Sequence, residues 1–375
     1  MEIGKLVQQR TGYKAFVPNP FPPTNVFVPG RDMVRLISEA DRALGRLDGV
    51  TRLVPDIDFF IFMYVRKEAA LSSQIEGTQA TMADEIKAES KILTGLPKDV
   101  DDITHYINAM NFGLGKIKDL SLSLRLIRGV HDVLLTNART EVEVTPGEFR
   151  TTQNWIGGTA PKNARYVPPP VHDMKRSLAD LESFLHADDG MPVLVKASLA
   201  HAQFETIHPF LDGNGRTGRL LITFYLYKAG AIKKPVLYIS EYFKKHRELY
   251  FELLNEYHNR GNVERWVEFF LEGVQVVADE AVLLSERITD LRDEDFSKVS
   301  GLGSRVAPNG MTLLRHLYKA PIVSAAKVEE VTGLSRPNAN KLIERFKALG
   351  ILEQVDPEKE YARSYVHREY LQLFS

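Results

Sequence analysis

The stretch HPFLDGNGRTGR, His208 to Arg219, lies between two apolar runs, PVLVKASLAHAQFETI before it and LLITFYLYKAG after it. Both runs read as helices, the second closed by Gly230, so a charged, glycine-rich loop joins two helices. Gly213, Asn214 and Gly215 stand directly before the second helix. Glycine there lets successive backbone N–H groups converge into an anion-binding nest, and the positive end of the helix adds to the attraction. Arg216 and Arg219 are three apart and emerge on one side of the first turn, within reach of a polyphosphate. Asp212 beside such a nest would repel phosphate unless a divalent cation lay between them, and Mg²⁺ held by one carboxylate and phosphate oxygens is the common solution. His208 is of the residue type whose ordinary pKa suits a general base. A plain Gly-Asn turn accounts for any two of these residues, but not for the second arginine and the histidine together. A Walker-type site is excluded, because no Gly-Lys-Ser/Thr follows and no buried strand precedes.

Composition bounds the rest. At 375 residues the chain exceeds one ordinary core, and two or three domains are expected. A formal net charge of -1 argues against chain-wide attraction to nucleic acid or to an anionic membrane. The absence of cysteine excludes disulfides, thiolate catalysis and cysteine-zinc sites. The start, MEIGKLVQQRTGYK, lacks the apolar core of a signal peptide. The run FFIFMYV at 59–65, between Asp58 and Arg66-Lys67, is too short to span a bilayer. A soluble, cytoplasmic protein with no membrane partner is expected.

Outward from the loop the pattern is mainly α. Residues 1–118 hold a proline-rich arm (1–30), expected to be extended, and a helical region. One helix of that region, about 56–77, has Asp56 or Asp58 as its N-cap. A helical domain over 119–287 is interrupted by GEFRTTQNWIGGTAPKNARYVPPP (147–170), which reads as a two-stranded flap with a stiff exit. ISEYFKKHRELYFELLNEY reads as a single helix. LRDEDFSKVSGLGSRVAPNG marks a linker over 288–310. Residues 311–375 then read helix, helix, helix and two short strands.

The 208–219 stretch resembles the signature of the Fic domain, and it fits that signature without a departure. The resemblance extends over roughly 120–275 and implies a Fic-type helical core that transfers AMP from ATP to a hydroxyl of a target protein. It implies His208 as the base toward a Tyr, Ser or Thr hydroxyl and Asp212 as the Mg²⁺ ligand. Gly213, Asn214, Gly215, Arg216, Thr217, Gly218 and Arg219 would bind the phosphates, with Arg219 at the γ-phosphate and Phe210 buried to fix the loop. The flap would hold the target segment by β-augmentation. Tyr242 and Tyr250 fall where the family places part of its adenine pocket, although aromatic residues at helical spacing also suit a core. His201 and Glu205 have the i, i+4 spacing of a metal pair, but with no third ligand in view they read as packing residues.

An earlier stretch, SSQIEGT, gains meaning from that resemblance. Ser72 and Glu76 share a helix face, and Gly77 can end the helix. A glutamate at a helix C-terminus faces the negative end of the dipole, which hints at a cationic partner elsewhere. Ser-x-x-x-Glu-Gly resembles the inhibitory motif of Fic proteins whose inhibitory helix precedes the catalytic core. Glu76 would then pair with Arg219 at the γ-phosphate position. Residues 311–375 resemble a winged helix-turn-helix, with Ser335 as N-cap and Pro337 in the first turn of the recognition helix. Residues 301–375 carry 11 Lys/Arg and 8 Asp/Glu, a mild excess of three positive charges. DNA, through Arg336, Asn338, Asn340 and Lys341, and a protein partner or homodimer are both open to this unit. Two further functions stay open: a nucleotide-sensing DNA-binding regulator, and a Fic enzyme that transfers another phosphate-containing group or removes AMP.

Overall fold

The computed structural model describes residues 3–22, 29–53, 57–90, 95–138, 144–361 and 363–374. The start of the chain folds back on itself instead of extending. β1 (Gly4–Gln8) and β2 (Lys14–Pro18) pair antiparallel, with Leu6 opposite Phe16. The β-forming residues of KLVQ and KAFV outweigh the prolines, which fall at the end of β2 and beyond it. A bond from Phe16 N–H to the Val167 carbonyl ties this hairpin to the body of the protein.

Helices α1 (Arg31–Leu53), α2 (Ile57–Ile75), α3 (Met82–Glu89), α4 (Asp101–Leu120) and α5 (Leu124–Leu135) follow. Asp56, one of the expected caps of α2, lies outside the described residues. The apolar run of α2 is core: Phe60, Met63, Tyr64 and Val65 are all buried. Among the described residues, no helix is long and apolar enough to cross a membrane. The next elements are α6 (Val171–His186), α7 (Val193–Ile207) and α8 (Asn214–Lys228). α7 and α8 are buried on nearly every side, as the two central helices of a bundle must be. They pack on each other, with α6, α4 and α5 around them.

The run expected as one helix after α8 breaks at His246 into α9 (Ser240–Lys245) and α10 (Arg247–Arg260). The supposed linker is also corrected. α11 (Val263–Ser300) runs straight through its first half, and α12 (Ala307–Lys319) begins before its end. Ile288, Leu291, Asp295 and Val299 keep the helical period and are buried beneath the charged residues that suggested a linker.

β3 (Ile322–Ser324), α13 (Ala325–Thr332), α14 (Arg336–Ala348), β4 (Glu353–Gln354), β5 (Ser364–Val366) and α15 (Arg368–Gln372) complete the chain. The strands form an antiparallel sheet in the order β3-β5-β4; β3 and α15 were not foreseen from the sequence. Ser335 stands at the N-cap of α14 without a side-chain cap bond, and Pro337 lies in its first turn.

The flap is slighter than expected. One antiparallel bridge, Ile156 with Tyr166, replaces the two strands. The Asn163 side chain accepts the N–H groups of Thr159 and Ala160, so the loop is closed by a side chain instead of a ladder.

Candidate active site

α7 ends because His208 takes a left-handed backbone (φ 47, ψ 62) while its N–H still bonds the Phe204 carbonyl at 2.9 Å. The His208 carbonyl is then gripped from the flap by Arg150 Nε at 3.0 Å and Asn154 Nδ2 at 3.1 Å. Arg150 is buried, and its other nitrogens donate to the carbonyls of Thr152 and Pro169. Phe210 is fully buried and stacks on His131 with ring centroids 3.7 Å apart. His131 Nδ1 accepts the N–H of Gly147, which leaves Nε2 to donate to the Asp212 carbonyl at 3.0 Å. Burial pushes the His131 pKa down to about 4, so this bracket is neutral.

Gly213 caps α8 with φ +74, a conformation that suits glycine. Asn214, expected on the phosphates, uses its side chain on the loop itself. Its Oδ1 accepts from Phe210 N–H and its Nδ2 donates to the Phe210 carbonyl, each at 2.9 Å. Its backbone N–H, at the open end of α8, is the part left to face an anion. Thr217 donates to the Gly213 carbonyl at 2.8 Å, and Glu205 fills the space beside Gly218. Neither residue turns a side chain toward the nest. The Asp212 carboxylate accepts Gly213 N–H at 2.6 Å and is partly exposed.

Arg219 is the best-held cation of the site. Its Nε donates to Ser72 Oγ at 2.8 Å, and one terminal nitrogen donates to the Ser72 carbonyl at 2.9 Å and to Glu76 Oε1 at 2.7 Å. Burial works against its charge, but Glu76 more than restores it and holds the guanidinium pKa above its usual range. α2 stops at Ile75, so Glu76 sits in the turn beyond it, with Gly77 at φ +110. The Glu76 carboxylate reaches the mouth of the nest: a Cβ on Gly215 would lie 2.1 Å from its Oε1. The sequence-expected trio Ser72, Glu76 and Arg219 is therefore together in space. Arg216 turns instead to Asp102 of α4, at 3.8 Å.

His208 Nδ1 faces Glu205 Oε2 at 3.7 Å. Tyr250 is buried and its hydroxyl lies 2.9 Å from His201 Nε2, so His201 serves this contact. Among the described residues, no three His, Cys, Asp or Glu side chains gather as a metal set. Tyr242 packs on Phe269 and His246. Residue-by-residue reading missed Glu68, Asp102, His131 and Arg150; only Glu68, four residues before Ser72, carried a signal in its spacing.

Residues 34–115 match the Fic/DOC family N-terminal region, and residues 121–226 match the Fic/DOC family itself. The chain belongs to the Fic/DOC family. The protein adenylyltransferase Fic of Drosophila grimshawi is 29% identical over 255 residues, which cover 66% of this Fic chain and 47% of that protein. Its namesake in Culex quinquefasciatus is 33% identical over 153 residues, covering 40% and 28% of the two chains. The Fic chain thus spans less than half the length of these curated relatives. A Fic family protein from Desulfovibrio desulfuricans G20 shares the fold, with a TM-score of 0.58 at 20% identity over 91% of this chain and 97% of its own.

Proposed function

We propose that this chain is a protein adenylyltransferase that transfers AMP from ATP to a hydroxyl side chain of a target protein. The observation that carries this is the position of the Glu76 carboxylate. An anion of the chain itself lies over Gly215 and on Arg219, at the open N-terminus of α8, where a phosphate would be held by the same groups. The relatives named protein adenylyltransferase Fic support the choice of nucleotide chemistry.

In this reaction His208 takes the proton of the acceptor hydroxyl, whose oxygen attacks the α-phosphorus as pyrophosphate leaves. The backbone N–H groups of Asn214 and Gly215, with Arg216 and Arg219, surround the oxygens on which charge builds. Arg216 would have to leave Asp102 for the nucleotide. Asp212 has a partly exposed carboxylate beside the nest and would hold Mg²⁺, which would neutralise phosphate charge there. Tyr242 and Tyr250 are the residues proposed to contribute to the adenine pocket; both are buried, Tyr250 with its hydroxyl 2.9 Å from His201 Nε2 and Tyr242 against Phe269 and His246.

The Arg219–Glu76 contact supports a proposed autoinhibition, in which Glu76 and the γ-phosphate would compete for Arg219. Glu76→Gly is expected to raise AMP labelling with ATP at least tenfold, and His208→Ala to abolish it in either background. Equal labelling by Glu76→Gly and the parent would overturn the inhibitory role. No adduct with any nucleotide would overturn the transfer itself. The order of helices and strands in 307–374 suits a winged helix-turn-helix, with Arg336, Asn338, Asn340 and Lys341 on the exposed side of α14. Duplex DNA is its proposed ligand. A gel shift is expected to weaken steeply as salt rises, and no salt-sensitive shift would refute DNA binding.

A further inference from the structure

Glu205 has no part in the reaction as set out above, yet it is the side chain that faces His208. The last turn of α7 sets it three residues before His208, and the left-handed turn at His208 leaves the imidazole near it, Nδ1 3.7 Å from Glu205 Oε2. Nδ1 of His208 is buried and, among the described residues, has no hydrogen-bond partner. Glu205 Oε1 is buried and equally unpartnered, and its side chain is only 11% exposed. Burial opposes ionisation of this carboxyl, but His208, His201 and Arg219 outweigh it and hold its pKa below the usual range. A lone ionised carboxylate thus lies beside a lone imidazole nitrogen. An approach of about 1 Å makes the hydrogen bond, and such contacts tighten when substrate binds.

We propose that Glu205 is a positioning residue for His208, keeping the imidazole proton on Nδ1 so that Nε2 carries the basic lone pair. The proposal rests on His208 being the base of the AMP transfer. When the acceptor hydroxyl gives its proton to Nε2, its oxygen bonds to the α-phosphorus and the bond to the bridging oxygen of pyrophosphate breaks. The imidazole is then a cation, and Glu205 stabilises it without taking a proton. Other groups near His208 do not compete for this role. His201 of α7 and His258 of α10 are held neutral by burial, and Tyr250 hydrogen-bonds His201. Arg150 and Arg165 of the flap and Arg219 of α8 are cationic, and Asp212 turns to Gly213 N–H. Of these, Glu205 alone offers negative charge to Nδ1.

The test uses the full chain carrying Glu76→Gly as parent. Glu205→Gln keeps the shape and loses the charge. It is expected to lower kcat at least tenfold with KM for ATP within twofold, and to move the acidic limb of the pH–rate profile to lower pH, because a carboxylate partner favours the imidazolium. ¹⁵N spectra of the histidine rings give a readout independent of activity. His208 is expected as the Nδ1–H tautomer in the parent and the Nε2–H tautomer in Glu205→Leu, which fills the site without an acceptor. An unmoved kcat and pH profile in Glu205→Gln, or an Nε2–H tautomer in the parent, would overturn the proposal. A parent that shows the Nδ1–H tautomer but transfers no AMP would instead refute the proposed reaction and support the pairing.

Discussion

Glu68, Ser72 and Glu76 stand four residues apart along α2 and its end, and the first of them is buried. Its Oε1 accepts from Tyr106 and Ser240, while Oε2 has no partner among the described residues. Burial raises the Glu68 pKa to about 7, with Arg219 pulling the other way. A raised carboxyl pKa means that the folded chain binds the extra proton between the unfolded value near 4.5 and about 7. Stability therefore falls as pH climbs through that window. Glu68→Gln, neutral at every pH, is expected to be more stable than the parent by ~1–3 kcal/mol at pH 8, with little difference at pH 4. Thermal unfolding at the two pH values checks this, and equal shifts at both would exclude Glu68 as the source. At the same scale the loop was legible because its chemistry is contiguous: His208, Asp212, the glycines and both arginines fall within twelve residues. Glu205 lies just outside it, and its role depends on a backbone sign at His208 that no sequence pattern announces.

The end of α2, on which the proposed restraint depends, is held from several sides. Arg247 Nε donates to the Ile75 carbonyl at 2.9 Å, Gln74 bridges to the Ala80 carbonyl, and Lys244 pairs with Gln74. Arg247 thus satisfies a carbonyl that the helix end leaves open. Arg247→Ala is expected to loosen the turn carrying Glu76 by about 1 kcal/mol and raise basal AMP labelling roughly fivefold, short of the effect of Glu76→Gly. Labelling at or below the parent level would show that Arg247 does not hold Glu76. Elements whose signal is periodic were read well, α7 and α8 above all. The flap and α11 were not. In the flap the backbone groups of the turn are met by Asn163, so β-forming residues such as Trp155 and Ile156 misled. In α11 the period persists beneath a surface of charge.

Across the whole molecule, α11 runs from the helical bundle to the C-terminal unit, which also packs on α2 through α12. Its Asp295 is buried there, accepting from Tyr318 Oη at 2.9 Å and lying 2.8 Å from His367 Nε2 through the same oxygen. Partners 23 and 72 residues later explain a buried aspartate that looked like linker composition. Asp295→Ala leaves both groups unpaired inside the protein and is expected to cost ~2–4 kcal/mol. Hydrogen exchange should show the loss concentrated in 307–374, and uniform protection across that segment would argue against this anchor. With 38 residues, α11 measures about 57 Å end to end. That helix acts as a ruler and not a leash. A macromolecule bound by the C-terminal unit, as proposed, would be set out at a fixed distance and bearing from His208, so which hydroxyl arrived there would be a question of geometry before it was one of affinity.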